Sequence, residues 1–240
     1  MQLPGANASS SVYLSFAYHV QGAADAWADV EIITADQQKA VLDVGAMLKP
    51  VVDALRATAG ASDEADRLAT MALARFRVRD AVLDLRVMAA SDAVLNGPGL
   101  RDRRSPVYKQ VFAGDNAGDI TRARMRDEPE LAALLASRLD KVDDFEGKAA
   151  VHKALTEAVQ KSLAARDAAD AASLAANKAG NDELAARLAL RVALEKAYGA
   201  LRTAFPGRRD FVESFFPKTE RAAPKSGTPT EGEPEADAGG

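Results

Sequence analysis

The 240-residue chain has no cysteine and only two histidines, His19 and His152. The first absence excludes disulfides, thiolate metal sites, iron–sulfur ligation and a cysteine nucleophile. The second leaves little material for imidazole chemistry, because neither histidine stands three residues after a glutamate as a di-iron helical bundle requires. Aromatic residues make up 5% of the chain, and charges interrupt every long apolar run, so no segment reads as a membrane span. Residues 1–11 have neither the basic start nor the apolar centre of a signal peptide, which gives a cytoplasmic expectation. The glycine-rich nucleotide loops and the Gly-x-Ser-x-Gly elbow are missing too. These absences assign no catalytic residue, no cofactor and no metal ligand, and predict a protein that is not an enzyme.

What is present favours helices. Hydrophobic residues are 48% of the chain while aromatics are scarce, so alanine carries much of the apolar content, and alanine has the best helix propensity. The net charge of −4 argues against a chain whose whole surface coats nucleic acid or an anionic membrane.

Residues 1–33 form an N-terminal arm with two readings. Val12, Leu14, Phe16, Tyr18 and Val20 alternate with the two-residue period of a strand, yet Val12, Phe16 and Val20 also fit helical spacing. From Thr34 the pattern is clear. Thr34-Ala35-Asp36-Gln37 has the form of a capping box, and Val41, Val44, Leu48, Val52 and Leu55 make one apolar stripe. Pro50 predicts a kink, Gly60 a stop, and Ser62-Asp63-Glu64 the start of a second helix. That helix carries two seams: Met71, Val78, Val82 and Leu85 on one, Phe76, Leu83, Val87 and Val94 on the other. Asn96-Gly97-Pro98-Gly99 ends it.

A connector, 97–126, is rich in Arg, Gly and Asp around an apolar island at Val107, Tyr108, Val111 and Phe112. Within it, Asp115 to Asp119 resembles a calcium loop in composition but lacks the ligand spacing, so an ordinary turn is expected. Asp127-Glu128-Pro129-Glu130 opens a third helix, whose stripe of Leu131, Leu135, Leu139, Val142 and Phe145 continues to Leu163, with Gly147 as a dividing point. Gly180-Asn181 reads as a stop before a fourth helix from Leu184 to Phe205. Phe211, Phe215 and Phe216 predict a short aromatic turn folded back on the core, and 217–240 reads as a disordered acidic tail.

The fold class predicted is therefore all-α, with a minor N-terminal β element as the alternative. The expected architecture is a four-helix bundle of two long hairpins, 34–96 and 127–206, forming one domain over 34–216. Functional candidates lie where the helical pattern breaks. Arg101, Arg103, Arg104, Lys109, Arg122, Arg124 and Arg126 set seven positive charges against Asp102, Asp115 and Asp119 in the connector. With Tyr108 and Phe112 beside them they suit phosphate and base contacts, or ion pairs with acidic helix faces or a partner. In the arm, Phe16, Tyr18 and Trp27 are candidate docking residues. The expectation is a non-catalytic helical scaffold or assembly component. Its partners are proteins, as a homo-oligomer or within a larger particle. Nucleic-acid association through 101–126 is the competing reading, and no membrane contact is expected.

Overall fold

A computed structural model describes residues 2–114 and 116–217 of the chain. In order they form α1 (Ser10–Ala28), α2 (Ala35–Asn96), α3 (Pro106–Phe112), α4 (Ala117–Thr121), α5 (Glu128–Asp140), α6 (Lys148–Ala204) and α7 (Arg209–Glu213). No strand occurs among the described residues, so the class is all-α. No helix among them is long and apolar enough to cross a membrane. The tail expected from residue 218 onward lies outside the described residues. The chain divides into two compact units: Met1–Arg56 with Ala186–Gly240, and Ala57–Ala185 between them in sequence.

The first unit contains the N-terminal arm, which is a helix rather than an extended or irregular segment. Tyr13, Phe16, Ala17, Val20, Ala24 and Ala28 are buried, the three- and four-residue spacing of one helix face. Val12 and Tyr18, which shared a face in the strand reading, are 48% and 46% exposed. The alanines of the second half favour helix and leave no β-branched run to oppose it. The residues ahead of α1 are held as well. The Tyr13 hydroxyl donates to the Pro4 and Gly5 carbonyls at 3.2 Å, and Arg187 and Arg191 of α6 donate to the Ala8 and Pro4 carbonyls.

The capping box forms as its sequence predicts. Gln37 N donates to Thr34 Oγ1 at 3.3 Å and Thr34 N to Gln37 Oε1 at 3.1 Å. Gln37 Nε2 also donates to the Ala204 carbonyl, satisfying an orphan acceptor at the end of α6. The predicted stripe from Val41 to Leu55 is buried with Leu190, Leu194, Leu201 and Phe205. The aromatic turn closes this core as expected, with Phe215 and Phe216 buried beside α7.

Gly60 and Gly180 do not stop their helices. Gly60 lies inside α2 and Gly180 inside α6, so the first expected hairpin is one continuous helix and the second is α5 followed by the long α6. A glycine within a helix costs only about 1 kcal/mol relative to alanine, and each of these sits among alanines that offset it. Pro50 likewise lies within α2; it forfeits one backbone bond without ending the helix. The break that does occur is at Gly147, whose φ of +81° follows the end of α5 and precedes α6.

The second unit has its own core. Leu83, Val87, Ala90 and Val94 of α2 meet Tyr108, Val111, Phe112, Ala132, Leu135, Leu139, Leu155 and Val159. The expected irregular connector is thus partly helical and structural, since α3 and α4 insert its apolar island into this core. Ser105 caps α3 by accepting from Tyr108 N, and an Asn116–Asp119 capping box opens α4, in the stretch that resembles a calcium loop. Gly99 makes the exit from α2 possible, because a Cβ there would lie 2.6 Å from the Val94 carbonyl oxygen.

Candidate functional site

The most unusual chemistry in the second unit is a cluster of three carboxylates. Asp80 and Asp84 stand one turn apart on α2 and so share a face. Their side is continued by Ser91, whose Oγ lies 3.1 Å from the buried Tyr108 hydroxyl. Glu128 is the first residue of α5, entered through bonds from Asp127 N and Glu128 N to the Arg124 carbonyl. Along α5 the buried positions are Glu128, Pro129, Ala132, Leu135, Ala136 and Leu139, so helical periodicity carries Glu128 onto the core face. Only 2% of Glu128 is exposed.

One carboxylate oxygen from each residue lies within 4.8 Å of the other two. With all three ionised, Oδ1 of Asp80, Oδ1 of Asp84 and Oε1 of Glu128 are buried acceptors without a donor. No lysine, arginine or histidine forms an ion pair with any of them among the described residues. At such separations each like-charged pair repels by about 3–4 kcal/mol at an effective dielectric of about 20. Burial pushes the Glu128 carboxyl up to about 9, reinforced by its hydrogen bonds to Asp84 and Asp80 and by their charges. Burial also raises Asp80, with the charge of Asp84 adding to it and a hydrogen bond from Glu128 opposing it. Without another positive group the proton therefore rests on Glu128, which becomes a donor to its aspartates. The arrangement can hold a shared proton, or a cation in its place. An all-oxygen donor set of this kind suits hard divalent cations.

The residues predicted from sequence lie elsewhere. Arg101, Arg103, Arg104, Arg122 and Arg124 are exposed, and none makes an ion pair among the described residues. Leu100 and Arg101 both adopt left-handed backbone, with φ of 49° and 59°, held by the bond from Arg101 N to the Leu95 carbonyl. Arg126 pairs with Asp170 of α6. Tyr108 is 1% exposed and stacks on Phe112 at 4.5 Å between ring centroids, so it does not face solvent. In the first unit Phe16 is buried, Trp27 packs against Phe211 at 4.5 Å, and Tyr18 is exposed. The structure therefore brings Phe16 and Trp27 into their own core and leaves five of the connector arginines free at the surface.

Another feature is the outer face of α2. Phe76, Leu83, Val87 and Val94, the second predicted seam, are buried. The first seam is not: Met71 is 39%, Val78 62% and Leu85 70% exposed, and Met88 adds 42%. Arg75, Arg79 and Arg86 run along one side of this stripe and Arg77 along the other, none in an ion pair among the described residues. Ala72, Arg75, Val78, Ala165 and Ala168 border an apolar groove of about 470 Å³ beside it.

Compared with family models, with curated proteins and with solved structures, the chain matches none. The carboxylate cluster escaped the sequence reading, which treated Glu128 as part of a helix-start signal. Its trace in the sequence is the phase of α5: stepping back from Leu139 through Leu135 and Ala132 places residue 128 on the apolar face.

Proposed function

We propose that this protein is a non-catalytic helical scaffold or assembly component, which joins a partner chain through the outer face of α2. The observation that carries this reading is the exposed stripe of Met71, Val78, Leu85 and Met88. It lies opposite the buried seam; Met71, Val78 and Leu85 repeat at the seven-residue spacing with which one helix packs on another, and Met88 stands one turn beyond Leu85. An exposed apolar row of this kind, rimmed by charge, is a recognised mark of an interaction site. The rim of Arg75, Arg79 and Arg86 fits a partner helix with an acidic flank, and the alanine-lined groove beside Val78 gives that helix a seat. The setting proposed is the cytoplasm, in a homo-oligomer or a larger assembly.

Light scattering and crosslinking of the full chain test this reading, alongside a Val78→Lys, Leu85→Lys variant. The wild-type chain is expected to associate with itself or with a stoichiometric partner, and the variant to lose that association while keeping its helical content. A wild-type chain that stays monomeric at high concentration and retains no partner overturns the proposal.

Nucleic-acid association is the second reading, favoured by the five exposed, unpaired arginines at 101, 103, 104, 122 and 124. It is weakened by the burial of Tyr108, which removes the base-stacking surface this reading needs. Retention on DNA at low salt that falls steeply as salt rises would support it, and no retention at low salt would remove it.

A further inference from the structure

We infer that Asp80, Asp84 and Glu128 form a binding site for a hard divalent cation of the Mg²⁺ or Mn²⁺ class, one that clips α2 to the first turn of α5. The donor oxygens lie within 4.8 Å of one another, close enough for a single ion to draw all three onto itself with small side-chain shifts. The second observation is Glu128 itself. It is only 2% exposed, and its Oε1 meets no hydrogen-bond donor. A buried carboxylate is retained when something positive compensates it. No basic side chain fills that role among the described residues, and two further carboxylates face it instead.

The donor set identifies the class of ion. It contains oxygen alone, without the nitrogen or sulfur ligands that select zinc or copper. Glu128 closes the inner side, whereas Asp80 and Asp84 are only half-buried, so water would complete the coordination from their side. Mg²⁺ and Mn²⁺ bind in this way, with a few carboxylates and several retained waters. Two ligands come from one helix face and the third from the start of another helix, so the ion ties together segments that are far apart in sequence. This inference is independent of the proposed docking face, and either one can fail without the other.

The test is Mn²⁺ binding to the full chain, followed by electron paramagnetic resonance with Mg²⁺ as competitor, and by the thermal unfolding midpoint with and without the ion. The expected result is one Mn²⁺ per chain, displaced by Mg²⁺, with a midpoint that rises on binding. Glu128→Gln and Asp84→Asn should each weaken binding about tenfold or more. Both keep the size of the side chain they replace, and circular dichroism of the metal-free variants checks that they fold. No binding up to about 1 mM Mn²⁺ overturns the inference, as does wild-type affinity in Glu128→Gln. A protonated-carboxyl infrared band that persists at saturating Mn²⁺ also overturns it, because the proton would then still occupy the site.

Discussion

The two cores of this chain are built from different materials. The first unit buries Tyr13, Phe16, Phe205, Phe215 and Phe216, with Trp27 and Phe211 packed against them. Trp27 and Phe211 meet edge-on with ring centroids 4.5 Å apart, an arrangement the ring quadrupoles favour. The second unit is largely Leu, Val and Ala around the stacked Tyr108–Phe112 pair, and it encloses Glu128, Ser91 and Ser162. Large rings fill space with few residues and leave little room for polar groups. Aliphatic packing at a junction of several short helices leaves helix ends and polar side chains inside, where each demands a partner. The aromatic unit thus buries few polar groups, and the aliphatic unit encloses the buried carboxylate of Glu128.

The sharpest way to break this contrast is to remove a ring. Phe215→Ala, at a position with 0% exposure, should cost about 3–5 kcal/mol, read from the chemical denaturation midpoint. The loss should appear first as hydrogen-exchange deprotection of α1 and the end of α6 rather than of α5.

A mutation in the aliphatic unit should act in the opposite direction. In chelator, the folded-state carboxyl of Glu128 lies at about 9, above its ordinary value of 4.5. The folded chain therefore holds this proton where the unfolded chain releases it. The associated stability is fully present below pH 4.5 and is lost as pH rises towards 9. By neutral pH the loss amounts to roughly 3 kcal/mol. Glu128→Gln should recover most of it in metal-free buffer and flatten the stability–pH curve. A variant whose curve keeps the wild-type slope would show that Glu128 is not the group responsible.

The smallest effect belongs to the helix cap. Gln37→Ala removes the reciprocal bond to Thr34 and the bond to the Ala204 carbonyl. It should destabilise the chain by about 1 kcal/mol, again by denaturation, with the fraying confined to the start of α2 and the end of α6.

Much of the fold was legible in the residues. The Thr34–Gln37 cap, the Val41–Leu55 stripe, the end of α2 and the aromatic turn at Phe211–Phe216 follow from local chemistry that tertiary packing did not override. Gly60 with Ser62-Asp63-Glu64, and Gly180-Asn181, misled because local stop and start signals were set against flanking alanines that kept the helix favourable. The arm was ambiguous because Val12, Phe16 and Val20 satisfy two periods at once, and the alanines that settle it carry no strong hydropathy signal. The candidate metal site was hidden for the same reason. In α5 the buried face runs through Ala132 and Ala136, while Leu131 and Leu134 are 38% and 53% exposed, so following the leucines puts the phase of the helix out of step and leaves Glu128 outside. Proximity of Asp80 and Asp84 to Glu128 depends on how α5 meets α2, which spacing along the chain does not encode.

The interrupted course of the first unit has a consequence for synthesis. Residues 57–185, which make up the second unit, leave the ribosome as one uninterrupted stretch and can close before residues 186 onward are made. The first unit cannot. Val41, Val44, Leu48, Val52 and Leu55 emerge early, but Leu190, Leu194, Leu201 and Phe205, which cover them, arrive only after the whole intervening unit has been translated. Throughout that interval the nascent chain displays an uncovered apolar ridge, and chaperone occupancy on stalled chains ending between residues 100 and 190 should be concentrated there.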